Sequence, residues 1–160
     1  MTVLVPLSHF PFPAIQRGPG YATAMGLLMT GNPSLVSVVD DDESVRESLP
    51  DLLRLFGFAA EAFSSAEAFL ESDVVDETSC LLLDIAMPGM SGPDLQQELK
   101  RRRHTIPIVF ITAHGDGALR PALLAHGAVE CLFKPFSEAA LLDAVKTALR
   151  RPDYPPAGAT

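Results

Sequence analysis

The sequence is short of what several functions require. Only 12 lysines and arginines stand against 20 aspartates and glutamates, for a net charge of -8 and a pI near 4.8. Nonspecific attraction to nucleic acid or to an anionic membrane is therefore not the expected mode of action, and a cationic partner or a divalent metal suits the chain better. There are two cysteines, Cys80 and Cys131, with neither a C-x-x-C spacing nor a histidine cluster beside them. They read as reduced core thiols in a cytosolic protein rather than as a disulfide or metal ligands. No apolar run approaches the length that crosses a bilayer. The N-terminal apolar residues lack a cationic lead and are interrupted by Pro6, Pro11 and Pro13, so a signal peptide is not expected. Internal repeats, heptads and low-complexity blocks are absent too.

What is present is the composition of one globular domain: 160 residues, 48% hydrophobic and 20% charged. Residues 1–33 hold five prolines, four glycines and no acid, and show no sustained period, so they are expected to be a flexible extension outside the fold. Met25 and Met29 are candidate starts of a shorter product. Residues 34–150 form the expected domain, and 151–160, with Pro152, Pro155 and Pro156, a disordered tail.

From Ser34 onward apolar strands alternate with helical spacing. The expected strands are Leu35–Val39, Phe58–Phe63, Ser79–Leu83, Ile106–Ile111 and Ala128–Phe133. Glu43–Phe56 reads as a helix with Val45, Leu49, Leu52, Leu53 and Phe56 on one stripe and a weakened turn at Pro50. Ser64-Ser65 followed by Glu67 caps a second helix to about Ser72. Ser91-Gly92-Pro93-Asp94 opens a third, which ends at Lys100–Arg103. A fourth spans about 117–125, and Ser137-Glu138 starts a fifth that runs to about Arg150. Five strands alternating with five helices imply a doubly wound parallel sheet with right-handed crossovers.

The polar residues closing strands one, three, four and five are Asp40-Asp41, Asp84, Thr112 and Lys134. In a parallel sheet these ends share one rim. Carboxylates converging there repel and raise their own pKa values unless a cation joins them, and magnesium is the hard, oxygen-liganded ion that does so. Lys134 adds positive charge and Thr112 a hydroxyl donor, equipment for holding the oxygens of a phosphoryl group. Asp84 ends the central strand at the flexible turn Met87-Pro88-Gly89 and is the natural nucleophile. Asp42 and Glu43 read as helix N-terminal acids, His104 and His126 as caps or solvated helix ends, His114 as a loop residue near the site, and Lys100–Arg103 as a solvated helix end.

The motifs Val38-Val39-Asp40-Asp41-Asp42-Glu43, Leu83–Gly92, Ile111–Asp116 and Lys134-Pro135-Phe136 together resemble the receiver domain of two-component response regulators, close to the FixJ-like branch, over about residues 34–149. The resemblance implies a flavodoxin/CheY-like (β/α)5 fold with strand order 2-1-3-4-5. It implies that Asp84 accepts phosphate from a sensor histidine kinase or phosphotransfer protein. Asp41, Asp84 and the Ala86 carbonyl would bind Mg2+ directly and Asp40 through water, while Thr112 and Lys134 contact the phosphoryl oxygens. The bond before Pro135 is implied to be cis, and Ala86 and His114 occupy positions that tune phosphate lifetime. Phosphorylation is implied to draw Thr112 inward and reshape the face of helix four, strand five and helix five, a plausible dimer surface. Cys131 stands where the family usually has a switch Tyr or Phe, which puts the output movement in doubt.

Three functions follow as expectations. The first is a stand-alone phosphoacceptor acting through a downstream protein target, favoured by a chain that ends about ten residues after the last helix. The second is the receiver part of a DNA-binding regulator lacking its effector domain. The third is an aspartate-nucleophile phosphatase, disfavoured because Ala86 stands where such enzymes place a second acid.

Overall fold

The computed structural model describes residues 32–150. The expected tail, the expected extension up to residue 31, and with it His9, Met25 and Met29, lie outside the described residues. The elements alternate as β1 (Leu35–Val39), α1 (Glu43–Leu55), β2 (Ala59–Phe63), α2 (Ala66–Glu71), β3 (Thr78–Asp84), α3 (Gly92–Arg101), β4 (Ile108–Thr112), α4 (Leu119–Ala125), β5 (Glu130–Phe133) and α5 (Glu138–Leu149). All strand pairs are parallel and the sheet order is β2-β1-β3-β4-β5. This is the doubly wound arrangement that the alternation and the resemblance implied.

β3 is the middle strand, and its residues Cys80–Leu83 are wholly buried because helices cover both faces of a parallel sheet. Their period of two feeds two cores. Cys80 and Leu82 join Val36, Val38, Val109 and Ile111 beneath Leu49, Leu52 and Leu53 of α1 and Leu141 and Val145 of α5. Leu81 and Leu83 join Val39, Ile108 and Phe110 beneath Phe69 of α2, Leu95 and Leu99 of α3 and Leu123 of α4. Each such leucine contributes roughly 1.5–3 kcal/mol by leaving water. The rim above β3 is therefore held by a strand packed into both cores.

Caps set where the helices begin. Asp42 accepts from the backbone N–H of Ser44 at 2.9 Å and starts α1. Ser65 accepts from Ala68 and starts α2. Ser91 and Asp94 close a reciprocal capping box on α3, and Ser137 caps α5. α1 continues across Pro50, which is itself buried, so the expected weak turn does not end the helix.

Several boundaries differ from the sequence expectation. β4 starts at Ile108 rather than Ile106, since Pro107 has no N–H to give the ladder and offers only its carbonyl, to Leu81 at 2.9 Å. α4 starts at Leu119 because Asp116 Oδ1 accepts from the N–H groups of Ala118 and Leu119 and takes the preceding residues into a turn. β3 begins at Thr78 and β5 only at Glu130.

Candidate functional site

Asp84 ends β3, Asp40 and Asp41 directly follow β1, Thr112 ends β4 and Lys134 directly follows β5. With Asp42, Ala86, Ala113 and His114 they line one cavity of about 180 Å³ at the carboxyl rim. Oxygens of Asp40, Asp41 and Asp84 lie within 4.8 Å of one another. Two strands separated in sequence thus deliver three acids to one point, because parallel strands end on the same side of a sheet.

Burial is uneven within this cluster. Asp40 is fully buried and Asp84 is 6% exposed, while Asp41 faces solvent. Lys134 donates to Asp40 Oδ2 at 2.7 Å across 94 residues of chain, and both side chains are out of water. The N–H of Asp42 donates to the other Asp40 oxygen at 2.9 Å. Burial raises the Asp40 carboxyl pKa, against the pull of Lys134. The Asp84 carboxyl is pushed up to about 7, first by burial and then by the negative charge of Asp40, with Lys134 opposing and Asp41 adding to the rise. Lys134 is bonded to Asp40 and offsets only part of the rise at Asp84, to which Asp41 adds.

Such a donor set fits a hard divalent cation. The oxygens converge, one is solvent-facing, and the repulsion that raises Asp84 is what a cation relieves. No histidine or thiol belongs to the cluster. Ala86 lines the same cavity.

The loops around the site are fastened separately. Ile85 N–H donates to Ile111 at 3.3 Å, Gly92 N–H to Ile85 at 2.9 Å, and Lys134 N–H to Thr112 at 2.7 Å. The Lys134–Pro135 bond is cis, as the resemblance implied. The Thr112 hydroxyl donates to the His114 carbonyl at 2.9 Å and accepts from the His114 N–H at 3.1 Å, so in this state it serves its own turn. Arg46 of α1 donates to the Asp40 carbonyl at 3.1 Å.

A family model for the response regulator receiver domain matches residues 36–146. The chain belongs to the response regulator receiver family. It is 48% identical over 118 residues to nodulation protein W of Bradyrhizobium diazoefficiens, covering 74% of this chain and 52% of that protein. It is 41% identical over 116 residues to transcriptional regulatory protein FixJ of Azorhizobium caulinodans, covering 72% and 55%. Among solved structures, response regulator StyR matches with a TM-score of 0.68 at 51% identity, over 74% of this chain and 60% of that one. The chain spans about half the length of the curated relatives it matches.

In this receiver, Cys131 is the one sequence-selected residue outside the cavity lining; it sits 3% exposed in β5, opposite Phe110. Both cysteines are free and buried, as expected, and burial pushes the Cys80 thiol up to about 12 and that of Cys131 to about 11. Asp42 is a helix cap as expected; burial raises its carboxyl, but the Ser44 hydrogen bonds outweigh that and leave it below its ordinary value. The basic end of α3 is solvated as expected, with Lys100–Arg103 all exposed. Arg101 and Arg102 hold Glu98, and Lys100 donates to the His126 carbonyl at 2.7 Å. His104 lies 3.4 Å from Asp76. Among the described residues no helix is long and apolar enough to cross a membrane.

Sequence reasoning placed Glu67 in the cap of α2. Ser65 is the cap, as expected, with Ala68 three residues on, and the Glu67 carboxylate also accepts from the Met90 N–H at 2.8 Å. The spacing of Glu67 to either serine gave no sign of a partner 23 residues away.

Proposed function

We propose that this receiver accepts a phosphoryl group on Asp84 from a phosphohistidine of a sensor histidine kinase or phosphotransfer protein. The observation that carries it is the rim itself: one nearly buried carboxylate facing two others, a lysine and a threonine in a single cavity. An Asp84 carboxylate oxygen forms the new bond to phosphorus as the P–N bond breaks, and its electron pair returns to the donor imidazole. Asp41, Asp84 and the Ala86 carbonyl would hold a magnesium ion, with Asp40 helping through water. When bound, the ion neutralises negative charge on the transferring oxygens. Lys134 supplies a cation and Thr112 a hydroxyl to those oxygens, which requires Lys134 to share or leave its bond with Asp40 and Thr112 to release His114. Self-phosphorylation and self-dephosphorylation are the only reactions assigned, and Ala86 and His114 flank the site where they tune phosphate lifetime.

Readout follows from the same movement. Thr112 closing on the phosphoryl group pulls on the β4–α4 loop and reshapes the face of α4, β5 and α5, through which the receiver contacts a downstream protein or a second copy of itself. Cys131 is too small to swing between buried and exposed rotamers as an aromatic would, so this output differs from the family's usual one. Residues 34–150 form the working domain, which acts in the cytoplasm without direct contact to nucleic acid or membrane.

The deciding experiment is labelling with a low-molecular-weight phosphodonor and magnesium. One phosphoryl group is expected per wild-type chain and none on Asp84→Asn, and equal labelling of the two sinks the proposal. A second reading is favoured by the coverage of the relatives. FixJ is a transcriptional regulatory protein, and this chain spans 55% of it, which is what the receiver part of a DNA-binding regulator spans. Flanking coding sequence that continues into a helix-turn-helix module supports that reading, and its absence there opposes it.

A further inference from the structure

We propose that Glu67 is a positioning residue that holds the β3–α3 loop so that the Ala86 carbonyl is presented to the cation, an inference that rests on the magnesium-dependent phosphoacceptor reading above. The loop is residues 85–91. Its ends are tied to the sheet and to α3 through Ile85 and Gly92, and Met87 is sunk into the core at 8% exposure. Between Met87 and Ser91 the chain is exposed or half-exposed, and Pro88 has no N–H with which to fasten it.

The remaining tie comes from another element. Glu67, in the first turn of α2, takes the Met90 N–H at 2.8 Å. Gly89 lies beside this carboxylate. Its φ is 76°, and a Cβ there would lie 2.9 Å from Glu67 Oε1. Bonds to the Glu67 and Met90 backbone N–H groups, in that order, hold the carboxyl below its ordinary value, so it stays an ionised acceptor at neutral pH. The charge-assisted bond fastens the stretch of the loop after Met87 that the core does not hold, four residues from Ala86, which lines the cavity. Without it the loop must be ordered when the cation binds, and that cost appears as weaker binding.

The test uses the full chain and magnesium chloride alone, with no phosphodonor, by calorimetric titration. Glu67→Ala and Glu67→Asp, which keeps the charge but shortens the reach, are expected to raise the magnesium dissociation constant about threefold to tenfold. Glu67→Gln, which keeps the reach and an acceptor oxygen, is expected within about twofold of wild type. At saturating magnesium all three are expected to label as fully as wild type. An unchanged constant in both the Ala and Asp variants overturns the proposal. So does a Gln variant as weak as Ala, which assigns the effect to charge at a distance, or a fall in affinity only as large as the fall in unfolding midpoint in chelator. If wild type itself shows no magnesium binding that Asp84→Asn removes, the phosphoacceptor reading fails first and this one with it.

Discussion

Replacing the phosphoacceptor is expected to make the metal-free domain more stable. Burial and the charge of Asp40 push the Asp84 carboxyl from 3.8 to about 7 in the folded chain, so the fold disfavours its ionised form. A displacement of that size corresponds to about 4 kcal/mol, at about 1.4 kcal/mol for each tenfold change in the proton equilibrium. The sign follows from linkage. At a pH below 3.8 the group is protonated in both states and costs nothing. As pH rises toward about 7 the unfolded chain ionises while the folded one holds its proton, and stability falls. Above that value the full penalty is present. Asparagine has nearly the same shape and no charge. Asp84→Asn in chelator is therefore expected to gain about 2–4 kcal/mol at about pH 8, the lower figure applying if Asp41 swings into solvent and relieves part of the repulsion in wild type. The gain shrinks toward about pH 5, and magnesium stabilises wild type while leaving the variant unmoved. Urea unfolding followed by circular dichroism at several pH values, with chelator or with magnesium, measures all three. A variant no more stable than wild type at the higher pH, or a difference independent of pH, refutes the reasoning.

Lys134→Ala strands the fully buried Asp40 carboxylate without its 2.7 Å partner, and a loss of about 3–5 kcal/mol in chelator is expected by urea unfolding; an effect under about 1 kcal/mol would mean that Asp40 is neutral in the fold. Two glycines give a contrast. A Cβ on Gly92 meets the backbone of Asp84 and Ile85, whereas one on Gly115 meets the ring of Phe133, which is 38% exposed and free to swing out. Gly92→Ala is expected to cost about 2 kcal/mol or more and to impair labelling, and Gly115→Ala about 1 kcal/mol or less; comparable midpoints for the two variants would contradict this.

Much of this protein is written locally. The apolar runs at Leu35–Val39 and Cys80–Leu83, the caps at Ser65 and Ser91, and the alternation of strand with helical spacing determine a doubly wound parallel sheet. That topology alone brings Asp40, Asp41, Asp84, Thr112 and Lys134 to one rim, because strands that run the same way end on the same side. Boundaries were less legible where a proline or an Asx turn competed with the ladder, at Pro107 and Asp116. Only the tertiary structure decided which partner each polar group takes. Lys134 lies on Asp40 rather than free for a phosphoryl group, Thr112 is turned to His114, and Glu67 reaches the loop after β3 as well as its own helix end. Periodicity and capping are set by residues three or four apart, and the sequence displays them. The pairing of Asp40 with Lys134 depends on distances of a few ångströms between segments 94 residues apart, and those exist only once both cores have packed.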